Sequence, residues 1–350
     1  MALKTTTIGA FPKPDFVHLP DWFGATDGPD MAAPTARWAS ALAAMGEDAE
    51  AILQRGTHLA VRAQVDAGID IPTDGEIRRE NYVHYHCRHL HGFDFEDLTE
   101  ASLRNGAFSA LLPTVRGPIS VREQFLVRDW QVAQAATGRP VKLTLPGPLT
   151  VCDTVADAYY GDPRSMGRAL AEALNVEVLS LAEAGCRHIQ IDEPLFARKP
   201  ADAIAYGMDN LERAFHNCPA RVTRTMHMCC GYPDRLDNPE YPKADPRAYF
   251  ELADAVDASS IQAVSLEDAH RPNDLSLLER FGRTQVILGV VGVASSRVET
   301  VEEVSSRLTQ ALAHIEADRL LAGPDCGLGY LGADLAVRKL TVMVEAARSV

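Results

Sequence analysis

Eight short apolar runs punctuate the chain, each closing in or near Gly, Pro or a polar residue. They are Thr5–Ala10, Ile69–Glu76, Val141–Pro148, His188–Pro194, Arg221–Cys229, Ser260–Glu267, Gln285–Gly292 and Arg319–Gly327. Most are near-continuous rather than alternating, the pattern of strands buried on both faces of a parallel sheet. Between them, apolar residues recur at helical spacing in Ala36–Ala67, in Arg164–Ala184 (Leu170, Leu174, Val178, Leu181), in Val298–Ala317 and in Ala333–Ser349. Eight strands alternating with helices predict an α/β fold, a single (β/α)8 TIM barrel over residues 1–350. The alternative is an open, doubly wound sheet.

Three stretches break the regular count and predict loop insertions after the first, second and fifth strands. Asp15–Thr35 is rich in Pro, Gly and Asp, carries Trp22 and Phe23, and reads as a loop over one barrel end. Tyr82–Pro140 is too long for a plain connection; within it Val115–Val121 reads as a short extended excursion and Arg122–Ala136 as helix. Cys230–Tyr249 is a polar loop with four prolines. Loops that follow barrel strands are where this fold keeps its chemistry.

Composition narrows the class. The 350 residues are 46% hydrophobic and 23% charged, with a net charge of -14. That balance argues against a broad nucleic-acid surface. No run of about 18 apolar residues predicts a membrane span, and no signal peptide is expected. Seven cysteines at irregular spacing do not make a disulfide framework. They point to a reducing cytoplasm, where thiols serve as ligands or core.

If the barrel forms, its strand ends gather Ile8-Gly9-Ala10, Asp74-Gly75-Glu76, Asp192-Glu193-Pro194, His227-Met228-Cys229, Glu267-Asp268 and Asp325-Cys326 at one mouth. His227 and Cys229 share one face of a strand by parity. One His, two Cys and a carboxylate from distant parts of the chain fit a four-ligand zinc site of His227, Cys229, Glu267 and Cys326. Blander readings stand beside this one. Cys229 and Cys230 also admit a reading as core thiols, and Glu267 one as a helix cap with Asp268 the ligand. Asp192-Glu193-Pro194 reads as a turn whose carboxylates only meet helix N-termini. His84, His86, His89 and His91, with Cys87, form the densest His cluster, in a spacing that suits a polar loop or helix face better than a closed tetrahedral set. A zinc held by two thiolates and a carboxylate is too electron-rich to favour hydroxide chemistry, but it lowers the pKa of an incoming thiol and leaves its sulfur nucleophilic. The chemistry expected is attack of a thiolate on an activated alkyl carbon.

Thr5-Thr6-Thr7-Ile8-Gly9-Ala10-Phe11-Pro12, Asp74-Gly75-Glu76, Gly147-Pro148-Leu149-Thr150, Gln190-Ile191-Asp192-Glu193-Pro194, His227-Met228-Cys229 and Pro324-Asp325-Cys326-Gly327-Leu328 resemble, in order, the catalytic domain of cobalamin-independent methionine synthases. The resemblance implies a short, single-barrel member that methylates homocysteine from a methylated folate. It implies His227, Cys229, Glu267 and Cys326 as zinc ligands, with Glu76 and Asp192 holding the amino group of the thiol substrate and the Ile8–Ala10 backbone lying against its carboxylate. Three positions depart from the family pattern. Ala10 stands where the family has a Ser that contacts the carboxylate, and Thr154 where it has a Trp that stacks on the pteridine. Gly292 and Ala294 stand where it has Asp and His, the His being the acid for the departing nitrogen. The zinc and thiol half of the chemistry is therefore expected whole, and the donor half altered. The partners expected are a small-molecule thiol and an alkyl donor, with a methyl-donor partner protein left open and neither nucleic acid nor membrane. Other readings are a different thiol with a non-folate donor such as an epoxide, with Tyr82, His84, His86 or His270 supplying its proton; a non-catalytic binding protein; and a hydrolase using zinc-bound water.

Overall fold

Seven of the eight apolar runs contribute parallel strands, the first of them only over Lys4–Thr5, whereas the predicted second strand, Ile69–Glu76, makes only two isolated bridges. The computed structural model describes residues 2–23, 32–103, 108–231, 236–238 and 243–350. In chain order the strands are β1 (Lys4–Thr5), β2 (Leu90–Leu103), β3 (Phe108–Val121), β4 (Lys142–Pro146), β5 (Ala156–Asp157), β6 (His188–Asp192), β7 (Thr223–Met228), β8 (Ala263–Leu266), β9 (Gln285–Val291) and β10 (Leu320–Pro324). Seven of them make one curled sheet in the order β1-β10-β9-β8-β7-β6-β4, every pairing parallel. Residues of the predicted second strand bridge its two edges: Thr6 pairs with Ile71, and Thr73 with Lys142. All pairs being parallel, every C-terminal strand end lies on the same side of the sheet.

Helices cover the outside of the sheet. Pro163–Ala184 starts on Asp162, whose carboxylate accepts the N–H groups of Arg164 and Ser165, and stops at Gly185 in the left-handed region. Val301–Ala311 opens on a capping box between Thr300 and Glu303, and Ala333–Ser349 packs its apolar face against the last strands. The predicted Ala36–Ala67 helix is two helices, Ala32–Ala44 and Ala49–Asp66, split by a tight turn at Gly46–Asp48. No helix among the described residues is long and apolar enough to cross a membrane.

The segment from 82 to 140 departs most from expectation. Val115–Val121 is not a short excursion but the end of a 14-residue strand that pairs antiparallel with Leu90–Leu103. This hairpin joins β5 in a separate three-stranded sheet. The helix after it is Leu126–Gln134. Residues 24–31 of the predicted first insertion, and 232–235 and 239–242 of the third, lie outside the described residues.

Candidate functional site

Parallel register aligns the chemistry. Asp192 pairs with His227, and His227 with Ser265, across three neighbouring strand ends. Cys229 follows β7 directly, and Cys326 lies two residues past β10. One ligand atom each from His227, Cys229 and Cys326 lies within 4.8 Å of the others, and the three form the one such group among the described residues. His227 Nε2 is 3.0 Å from Cys326 Sγ, and Nδ1 is 3.0 Å from Ser265 Oγ. The Cys229 thiol is held well below the usual thiol range, first by its hydrogen bond with Cys326, then by His227 and the Arg198 charge, against burial. Two thiols, one of them with a lowered pKa, beside an imidazole are a donor set that suits a soft divalent ion.

Glu267 is near but not in this group. One carboxylate oxygen accepts the Cys230 N–H at 2.8 Å, and the other is paired with Lys243. It lines a small cavity with Cys229 and Cys326. Burial raises its pKa, with Lys243 pulling the other way. Asp268, the alternative ligand, is held instead by Arg307 and the Asn273 amide. Asp325 accepts the backbone N–H groups of Asp268, Ala269 and His270 at 2.7–2.9 Å, which fixes the loop after β8 against the Cys326 segment.

The three-ligand group opens into a cavity of about 120 Å³ that also reaches Ile8, Gly9, Ala10, Glu76 and Asp192. Glu76 sits there at a φ of 56°, a conformation that costs a non-glycine residue energy and is kept only where neighbours enforce it. Its Oε1 accepts from Thr144 Oγ1 at 2.7 Å and from Arg79 at 3.2 Å. A Cβ on Gly9 would stand 2.8 Å from that oxygen, so only glycine lets the backbone pass so close. Asp192 accepts from Gln190 Nε2 at 2.6 Å, and burial pushes its carboxyl up to about 7. The carbonyls of Ile8, Gly9 and Ala10 are bonded to Gln190, Thr73 and Leu328, whereas the N–H groups of Gly9 and Ala10 have no acceptor among the described residues. Glu193, one residue on, points away. It accepts from the Leu149 and Thr150 N–H groups and from Thr150 Oγ1, so the helix-terminus reading holds for Glu193 and not for Asp192.

Of the four proton donors considered, Tyr82 alone lines this cavity. His270 comes from the loop after β8, and its Nε2 accepts the N–H groups of Val293 and Ala294 at 2.9 and 3.0 Å. A Cβ at Gly292 would stand 3.1 Å from its ring. The ring therefore occupies space at the two positions that depart from the family pattern. Thr154 lines the cavity too, and the aromatic rings there are Trp22, Phe23 and Tyr82, with Trp22 4.4 Å from Phe23 and 6.0 Å from Tyr82. Sequence reasoning missed Ser265, Thr144, Lys243 and Arg198. Ser265 had one available signal: it shares strand parity with Glu267.

The His cluster does not gather into a group that could hold a metal ion among the described residues. His84 donates from Nε2 to the Thr154 carbonyl at 3.0 Å and accepts at Nδ1 from Thr35 Oγ1 at 2.6 Å. His86 Nδ1 meets the Tyr82 carbonyl, and His89 pairs with Glu123. Burial depresses the His84 pKa from 6.5 to about 4. The unfolded chain therefore takes up a proton below 6.5 that the folded chain refuses until about 4. Stability from neutral His84 is present above 6.5 and lost as pH falls through that window, by on the order of 3 kcal/mol. Urea titrations of His84→Gln and wild type are expected to converge by about that amount between pH 7 and 4; a gap independent of pH would refute it.

None of the seven cysteines is in a disulfide. Residues 3–349 match the family of cobalamin-independent synthase catalytic domains. The chain is similar to the methionine synthases of Saccharolobus solfataricus (28% identity, 99% of this chain and 95% of that protein) and Sulfolobus acidocaldarius (27%, 98% and 91%). It is also similar to the solved structure of a B12-independent methionine synthase from Shewanella sp. W3-18-1 in complex with selenomethionine. That match has 30% identity, a TM-score of 0.85, and covers 99% of this chain and 97% of that one.

Proposed function

As the chain belongs to the family of cobalamin-independent synthase catalytic domains, we propose that it is a zinc-dependent methyltransferase acting on the sulfur of homocysteine, with a methyltetrahydrofolate-like donor and methionine as product. The observation that carries this is the meeting of His227, Cys229 and Cys326 within 4.8 Å at the wall of a cavity that also holds Asp192 and Glu76. A thiol group and an ammonium of one small molecule can address both ends at once. The selenomethionine bound by the Shewanella relative has the shape of the product.

On this reading His227, Cys229 and Cys326 would hold the zinc, with Glu267 as the fourth and weakest-held ligand. Bound zinc would lower the pKa of the substrate thiol while keeping its sulfur nucleophilic. Ser265 accepts from His227 Nδ1, which leaves Nε2 as the donor atom toward the metal. Ser265→Ala is expected to weaken zinc binding about 10–100-fold in a chelator competition; an unchanged constant removes Ser265 from this role. Asp192 and Glu76 receive the ammonium through charge-assisted bonds. The Gly9 and Ala10 N–H groups face the carboxylate, a backbone seat that needs no Ser at residue 10. The bridges Thr6–Ile71 and Thr73–Lys142 support closure of the sheet as an eight-stranded barrel over the whole chain, with the hairpin as the insertion after its second strand. Two ligand thiols suit a reducing compartment such as the cytoplasm.

A second reading keeps the zinc–thiol half and changes the donor to one that is not a folate, an epoxide for example. What favours it is His270 seated against Gly292 and Ala294, with its Nε2 committed to backbone N–H groups. The test is turnover of zinc-loaded protein with homocysteine and methyltetrahydrofolate, then with other thiols and epoxides. Methionine formation establishes the first reading; turnover with non-folate donors alone establishes the second. A protein that takes up no zinc and turns over neither refutes both.

A further inference from the structure

Arg198 ends the short helix that begins at Pro194, six residues past Asp192. It is half-buried, and it is the only Lys or Arg among the described residues that line the main cavity. Asp153 lines the same cavity but is paired with Lys199. The Arg198 guanidinium makes no hydrogen bond or ion pair with any described residue. It still acts at a distance, as one of the charges that hold the Cys229 thiol down. A partly desolvated guanidinium with no hydrogen-bonded anion is costly to keep, and its planar fork fits a carboxylate or another oxyanion in two parallel bonds. The Asp192 and Glu76 end of the cavity is acidic and selects a cation; the Arg198 wall selects an anion.

We propose that Arg198 is the receptor for an oxyanion carried by a substrate, a carboxylate first among them. This rests on the thiol-transfer reading above for the identity of the substrates, not for the receptor itself. The acid belongs to the donor or to the thiol. The Gly9 and Ala10 N–H groups already offer the amino-acid carboxylate a seat, which favours the donor. The Trp22, Phe23 and Tyr82 rings of the same cavity suit a donor that joins a flat or apolar body to an acidic arm.

Titration calorimetry on zinc-loaded wild type, Arg198→Met and Arg198→Lys tests this. The ligands come in pairs with and without the acid: methyltetrahydrofolate against the methyltetrahydropterin that lacks the glutamyl arm, and homocysteine against 3-aminopropane-1-thiol. Arg198→Met is expected to weaken the acid-bearing member of one pair about 10–100-fold and to leave its acid-free partner within twofold. Arg198→Lys keeps part of the affinity, because charge remains and the fork is lost. A loss confined to the folate pair places the acid on the donor, and one confined to the thiol pair places it on the acceptor. If wild type binds neither pair, the thiol-transfer reading fails and benzoate becomes the probe. Saturable benzoate binding that disappears in Arg198→Met upholds the receptor. Equal affinity of wild type and Arg198→Met for every acid overturns it, and leaves Arg198 only its influence on Cys229.

Discussion

Cys326→Ser protein, purified and dialysed against a weak chelator, is expected to hold well under one zinc per chain and to show no measurable alkyl transfer. Zinc at four-ligand sites gains about 10–16 kcal/mol in all, so one ligand accounts for about 3 kcal/mol, on the order of a hundredfold in affinity. Serine is a harder and far less acidic donor than a thiol, so it does not replace what is lost. Cys229→Ser is expected to behave alike, since its sulfur shares the 4.8 Å group with Cys326 and His227. Cys230→Ser is the control. Its thiol lies 2.7 Å from the Arg271 guanidinium and 3.2 Å from the Tyr249 hydroxyl, and burial pushes it up to about 12. That variant should keep its zinc. Metal counted by emission spectroscopy decides the matter: full zinc in Cys326→Ser, or equal loss in all three variants, contradicts the ligand set.

The contrast between Cys229 and Cys230 shows what a sequence can disclose. Alternation along a strand put His227 and Cys229 on one side; Cys230, read with Cys229 as a core thiol, turns instead toward Arg271. The same parity separates Asp192, in the cavity, from Glu193, bonded to a helix start. The parallel strands were legible because burial on both faces leaves continuous apolar runs. The hairpin was not. Its first strand carries His91, Asp94, Glu96, Asp97 and Glu100 and is half-exposed, so hydropathy gives no period to follow. Residues that act by meeting others across the fold were also silent. Lys243 reaches Glu267 from a loop, Arg79 reaches Glu76 and Thr144 together, and Arg198 stands out only once Lys199 is seen to take Asp153. A basic residue six positions past an acidic strand end has no pattern of its own.

Asp192→Asn is expected to raise the dissociation constant for homocysteine by about 30-fold to several thousand-fold, the cost of removing one member of a buried charge pair. Glu76→Gln should cost less. Glu76 already has a cation, since Arg79 lies 3.2 Å from its Oε1, whereas Asp192 is bonded at 2.6 Å only to the neutral Gln190 amide. His227 and Lys142 act on Asp192 only through their charge, with no hydrogen bond to it, so on the proposed reading the substrate ammonium would be its hydrogen-bonded counter-charge. Folding gives an independent readout. Burial raises the Asp192 carboxyl from 3.8 to about 7, so its ionised form disfavours the folded state, and stability falls as pH rises through that range. At pH 8 the Asn variant should therefore melt no lower than wild type, while its binding collapses. Use of 4-sulfanylbutanoate, which keeps the thiol and the acid but has no amine, completes the argument: wild type should bind it weakly, and Asp192→Asn should bind it no worse. A variant that loses affinity for both thiols alike, or that melts well below wild type, would mean that Asp192 shapes the cavity and does not hold the ammonium.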